Sequence, residues 1–138
     1  MRILPNLAPK LIPDWRVVGG DPKVKLSPAS RPVKVGTPLL ATPEGWRRAS
    51  STEDYQLISG GIGVAGDIVR AFTSVVVDIT EPVYPPGTRL FIKDVDDYGN
   101  VTFAVDEIKE DYPEDPAVGS FYGSHFALGD GLVLLSVW

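Results

Sequence analysis

The stretch "SGGIGVAGDI" at residues 59–68 spaces Gly61, Gly63 and Gly66 as G-x-G-x-x-G, the pattern by which a strand-to-helix turn cradles a pyrophosphate. That chemistry needs a parallel strand before the glycines, a helix N-terminus after them and an acidic residue about 20 positions further on. Here the glycines lead into "DIVRAFTSVVVDI", whose half from Thr73 to Ile79 is β-branched and reads as a strand. Asp78 and Glu81 come too early or lie in a Pro-flanked turn. The glycines are therefore expected to serve bulges, positive φ angles and close backbone approach in a curved sheet, and no cofactor is expected.

Three other groups could do chemistry. "DVDDYGN" at 94–100 has Asp94, Asp96 and Gly99 at calcium-loop positions, but Tyr98 and Val105 stand where ligands are needed, so it reads as a hairpin turn and no metal site is expected. "DEIKEDYPEDP" at 106–116 has six carboxylates in eleven positions, bounded by Pro113 and Pro116; it reads as an exposed acidic loop or a docking site for a basic arm. His125 is the only histidine, and with no G-x-S-x-G elbow it reads as a packed, hydrogen-bonded side chain. The absence of cysteine excludes disulfides, thiolate metal sites and cysteine nucleophiles. No catalytic residue is assigned, and the chain is expected not to be an enzyme.

The elements that must hold these groups are strands. From residue 33, short runs rich in β-branched and aromatic residues ("VKVGTPLLA", "WRRAS", "YQLIS", "TSVVVDI", "TRLFIKDV", "NVTFAVDEI", "SFYGSHFAL", "LVLLSVW") alternate with Gly, Pro and Asp. This predicts an all-β small barrel or sandwich at 33–138, with Val101, Phe103 and Val105 on one face. Ser50-Ser51-Thr52-Glu53 has capping-box form with room for one turn of helix at most. "VGTPLL" at 35–40 resembles "PGTRLF" at 86–91, Gly45-Trp46 resembles Gly99-Asn100, Gly63-Val64-Ala65 resembles Gly119-Ser120-Phe121, and "VVVDI" resembles "LVLLSV". Two related β-units are expected to share one core.

Residues 1–32 differ in texture. Eight of the thirteen prolines fall within the first 43 residues, which forbids helix. Ile3, Leu4, Leu7, Leu11, Ile12 and Trp15 make the segment too apolar to stay solvated. It reads as an extended arm of reach on the order of 100 Å, gripping a partner or wrapping its own body. Residues 1–48 hold nine basic and three acidic side chains, and residues 49–138 four and fifteen, so a basic arm faces an acidic body. Fifteen carboxylates disfavour nucleic acid, no apolar run is long enough to span a membrane, and scarcity of Asn, Gln, Cys and Met is the composition of hot-environment proteins.

Taken together, "VKVGTPLL", "GWRRAS", "GGIGVAGDI", "PPGTRLFI", "YGNVTFA" and "DPAVGSFYGSHFALGDGLVLLSVW" resemble the capsid decoration (cement) proteins of tailed bacteriophages, over residues 33–138. The resemblance implies a β-tulip-like fold and a structural virion protein on the outer capsid surface, made in the host cytoplasm. It implies a homotrimer bound across neighbouring copies of the major capsid protein. Arg2, Ile3, Leu4, Leu7, Lys10, Leu11, Ile12, Trp15 and Arg16 are then the expected partner-binding residues. The long Pro-rich arm departs from the simplest members. An alternative resemblance of "VVVDITEPVYPPGTRLFI" is to small double-psi barrels that hydrolyse cell-wall glycan. It implies carboxylates at Asp78 and Asp106, although the "D-T-G" of that family is missing, since Glu107-Ile108 follow Asp106.

Overall fold

Short β-branched runs cut by Gly, Pro and Asp give strands and no helix among the described residues, which are 2–3, 10–11, 23–79, 83–105, 117 and 119–137 of this computed structural model. The strands are β1 (Arg2–Ile3), β2 (Lys10–Leu11), β3 (Lys23–Lys25), β4 (Pro38–Thr42), β5 (Gly45–Arg48), β6 (Leu57–Ser59), β7 (Ile68–Phe72), β8 (Ser74–Asp78), β9 (Arg89–Val95), β10 (Val101–Val105), β11 (Ser124–Gly129) and β12 (Leu132–Ser136). They form two antiparallel sheets that pack as a sandwich: seven strands in the order β1-β10-β9-β11-β12-β8-β2, and five in the order β3-β7-β6-β4-β5.

The two sheets repeat one topology. In each, an opening strand (β3, β8) is followed by a hairpin (β4–β5, β9–β10) and then by a strand that pairs back onto the first arm of that hairpin (β6 on β4, β11 on β9). The last strand (β7, β12) lies between this one and the opening strand. The hairpins are entered through the same turn: the Thr37 amide donates to Lys34 O and the Thr88 amide to Pro85 O, each at 3.1 Å. Gly36 and Gly87 sit at the third positions with φ of 94° and 89°, as a type II turn requires.

The two expected units are therefore present, with corrected membership. Gly63-Val64-Ala65 connects β6 to β7, whereas Gly119 lies between β10 and β11, so these segments are not equivalent. "VVVDI" supplies β8, which opens the second unit; β7 closes the first. The unit also begins before residue 33, because β3 pairs with β7 and Val24 and Leu26 are buried. Glu53 does reach back to the Ser50 amide (2.9 Å), but in a turn with no helix after it.

Each unit has its own apolar cluster. Val24, Leu26, Val33, Leu39, Leu57, Val69 and Ala71 fill the smaller sheet. Val75, Val77, Leu90, Ile92, Val101, Phe103, Val105, Val133 and Leu135 fill the larger one, with Ile58 and Phe72 entering from the smaller sheet. Leu57 and Ile58 are thus buried on opposite faces of β6, which is what makes the assembly a sandwich. The smaller sheet curls until its edges meet at one point, where the Ser27 amide donates to Trp46 O at 2.7 Å.

The larger sheet is capped at both edges by two-residue strands from the N-terminal segment. Arg2 and Ile3 pair with Val105 and Ala104, and Lys10 and Leu11 with Asp78 and Val77. Seven sheet strands lying flat would set β1 and β2 about 29 Å apart, but the seven residue steps from Ile3 to Lys10 reach about 25 Å at most. The sheet must curl to satisfy both pairings.

The units are joined by a buried cation. Arg48, at the end of β5, donates to Pro32 O (3.2 Å), Asp96 O (2.7 Å) and Val95 O (2.8 Å). Burial, and next the charge of Arg31, lower its pKa from the ordinary value. Beside it the β9–β10 turn lies against the 32–34 backbone: a Cβ on Gly99 would stand 2.8 Å from both Lys34 N and Val33 C, at a φ of +92°. Thr37 Oγ1 donates to Gly99 O at 3.1 Å. Replacing Arg48 with Met orphans these carbonyls and should cost about 3 kcal/mol or more. Gly99→Ala should cost about 2 kcal/mol through clash and strain. Because both act on one interface, the double variant should lose less than the sum in chemical denaturation. A midpoint for Arg48→Met within a few tenths of a molar of the parent would show that the guanidinium is not the tie.

Candidate interaction surface

The glycine stretch folds into a tight connection whose amides are used internally. The Gly60 amide donates to Arg70 O, Gly63 to Val33 O, Gly66 to Leu26 O and Asp67 to Val64 O, at 2.8 to 3.2 Å. The Gly61 amide reaches Ser59 Oγ (3.3 Å) and the Val64 amide Asp67 Oδ2 (2.9 Å). A phosphate cradle needs such amides free and aimed outward. The glycines instead allow close packing, since a Cβ on Gly60 would collide with the Phe72 ring at 2.2 Å and one on Gly63 with Val69 Cγ1 at 2.7 Å.

What this turn presents outward is apolar. Ile62, Val64 and Ile68 are 75%, 55% and 68% exposed. They sit on backbone pinned at Gly63 by paired hydrogen bonds with Val33 and at Leu26 by donation to Asp67 O. Exposed Lys23 and Lys25 on β3 lie opposite Arg70 and Ile68. Three branched aliphatic side chains on a turn pinned by main-chain hydrogen bonds, with cations beside them, are the candidate interaction surface of the described residues. The sequence signal was in the stretch itself, where Ile62 and Val64 flank the glycine that faces inward.

The acidic candidates are committed elsewhere. Asp96 accepts from the amides of Tyr98 and Asn100 (both 2.9 Å) and from Asn100 Nδ2 (3.0 Å), while Asp97 pairs with Arg31. Among the described residues no three His, Cys, Asp or Glu side chains are grouped to hold a metal ion. Asp78 ends β8 opposite Lys10 and Leu132. Asp106 and the run 106–116 lie outside the described residues, as do Leu4, Leu7, Ile12, Trp15 and Arg16. Of the expected anchors, the backbones of Arg2, Ile3, Lys10 and Leu11 run along the edges of the chain's own larger sheet.

His125 is buried, at 1% exposure. Its Nδ1 accepts from the Ser136 amide at 3.3 Å, and its Nε2 lies 3.4 Å from Tyr55 Oη. Burial, followed by the Arg89 charge, pushes its pKa down to about 4. Burial also pushes the Tyr55 phenol upward. The imidazole is a neutral packing group in the fold. As pH falls below about 6.5, the unfolded chain takes up a proton that the folded chain refuses, so stability drops until the folded pKa is reached. The parent should lose about 2 kcal/mol between neutral pH and pH 5. His125→Gln should be flat over that range in urea titrations, and an equal slope in the variant would assign the effect elsewhere.

Comparisons with protein-family models, with curated proteins and with solved structures found no match. The functional reading therefore rests on this chain's own geometry and on the resemblance of its sequence segments given above.

Proposed function

We propose that the protein is a non-enzymatic attachment protein, a capsid decoration protein of a tailed phage that seats on the outer face of the shell against the major capsid protein. The observation that carries this is the rigid apolar projection of Ile62, Val64 and Ile68, which a protein surface would bury. The groups that catalysis would recruit are otherwise engaged: His125 is neutral and packed, Asp96 holds its own turn and Glu53 is bound to Arg47. On this reading three copies bind together, so that modest contacts add up through avidity.

The described residues of the arm favour a role in closing the protein's own sheet, and attachment is accordingly assigned to the projection. Burying the three aliphatic side chains supplies roughly 2 kcal/mol each at most, enough for avidity to amplify. The triple replacement Ile62→Ser, Val64→Ser, Ile68→Thr should leave thermal unfolding nearly unchanged, because these side chains leave the cores untouched. It should abolish co-sedimentation with assembled shells of major capsid protein and leave the trimer in light scattering intact. Equal pelleting of parent and variant would refute the contact. Clearing of cell-wall glycan by the parent, lost in Asp78→Asn, would refute the whole reading in favour of a hydrolase.

A further inference from the structure

Alternation along β11 and β12 buries His125, Ala127, Val133 and Leu135 and leaves Phe126, Leu128, Leu132 and Leu134 on the outer face of the larger sheet. Phe126 and Leu128 are 36% and 38% exposed, Leu132 and Leu134 are half-buried, and none of them packs into either core. The register makes them one field. Phe126 lies opposite Leu134, and the register shift between Ala127 and Gly129 sets Leu128 next to Leu132. Val76 follows Leu134 in the same row but is buried, so the exposed field ends at β12.

The two ends of the field carry opposite charges. Arg89 lies opposite Phe126, and its guanidinium sits 4.7 Å from the centre of the Phe91 ring. Because β9 runs antiparallel to β11, that stacking carries the cation away from the β11–β12 turn. Asp130 stands exposed in the turn, between Gly129 and Gly131, on left-handed backbone with φ of 55°. Arg89 and Asp130 have no ion pair among the described residues. About 13 Å of strand between Phe126 and Asp130 keeps the two charges of one chain out of each other's reach.

We infer that this face is buried against the same face of a second copy of the chain, across a two-fold axis that runs perpendicular to the strands. An antiparallel sheet whose outer face meets water places polar residues there, whereas the outward positions of β11 and β12 are aromatic or aliphatic from Phe126 to Leu134. An apolar field with a cation at one end and a carboxylate at the other is its own complement when strand direction is reversed. The rotation sets each Arg89 opposite the partner's Asp130. The axis then passes between Phe126 and Leu128, so Phe126 of each copy packs on the partner's Leu128. Stacking over Phe91 leaves the in-plane N–H donors of Arg89 suited to a carboxylate. The field is small, which sets a Kd on the order of 10–100 μM. The pairing does not use Ile62, Val64 or Ile68 and does not depend on the attachment role.

Sedimentation equilibrium of the full chain from about 1 to 300 μM tests the pairing. The parent's mass should double across that range. Phe126→Thr with Leu128→Thr, which keeps residues suited to a strand, should hold the lower mass throughout while its far-ultraviolet circular dichroism stays that of the parent. Arg89→Glu should weaken the doubling about tenfold, and Arg89→Glu with Asp130→Lys in one chain should recover it to within about threefold of the parent. Asp130→Asn, which left-handed backbone tolerates, should weaken it about threefold and carries the charge test where lysine strains the turn. A parent mass that does not change with concentration would overturn the inference. So would doubling that survives the Phe126 and Leu128 replacements, or charge variants that pair as the parent does. A parent of constant mass whose Phe126→Thr, Leu128→Thr variant no longer pellets with capsid shells would give the face to the shell and overturn the second-copy assignment.

Discussion

A buried guanidinium held by three main-chain carbonyls is the constraint on which the rest of the molecule depends. Arg48 leaves the smaller sheet at the end of β5 and binds Val95 O and Asp96 O at the far end of β9, together with Pro32 O in its own unit. Carbonyls have fixed directions, and Arg presents its donors in a rigid fork. The three contacts therefore fix both the separation and the relative rotation of the units. Around them, Gly99 permits backbone-to-backbone contact with residues 32–34, Thr37 bonds Gly99 O, and Lys34 Nζ bonds Asn100 Oδ1 at 2.8 Å. Apolar contact between Ile58 and Phe72 and the larger core supplies attraction without direction. The polar seam supplies the direction.

Because the seam is rigid, features belonging to different units keep a fixed relation. A groove between them has β9 of the second unit as its floor and residues 47–52 of the first as one wall, so it exists only while Arg48 keeps the units aligned. The apolar projection owes its form to a different device, amides satisfied within the first unit alone. The two surfaces can thus be altered independently.

Much of the fold was legible in the sequence. Alternation in "NVTFAVDEI" placed Val101, Phe103 and Val105 inward, and all three are buried. The repeated "GT" turns marked the starts of β4 and β9 because a type II turn needs glycine at its third position. What stayed hidden depended on partners distant in sequence. "KVK" at 23–25 is too short to announce a strand and becomes one only by pairing with β7. "IVRAF" runs into β8 with no glycine or proline between them, so β7 was not marked as a strand apart from the run that begins at Thr73. Arg48 looked like half of a basic pair, since nothing local distinguishes an arginine that will meet carbonyls 47 and 48 residues away. Phosphate binding at the glycines could be dismissed from the β-branched run after them, whereas the exposure of Ile62 and Val64 required knowing which way Gly63 faced.

The short caps at the two edges of the larger sheet have a consequence for how the molecule assembles in time. Ile3 pairs with Ala104, a closure across about a hundred residues, and loop-closure entropy makes such a contact among the last to form. A ribosome releases Arg2 and Ile3 long before their partner strand exists. Until β12 emerges, β8, with its "SVVVD" edge, stands open to strand pairing with any neighbour. The caps are two residues each, which is enough to blunt an edge. Edge exposure during synthesis, rather than instability of the finished sandwich, is therefore where this chain is most prone to aggregate.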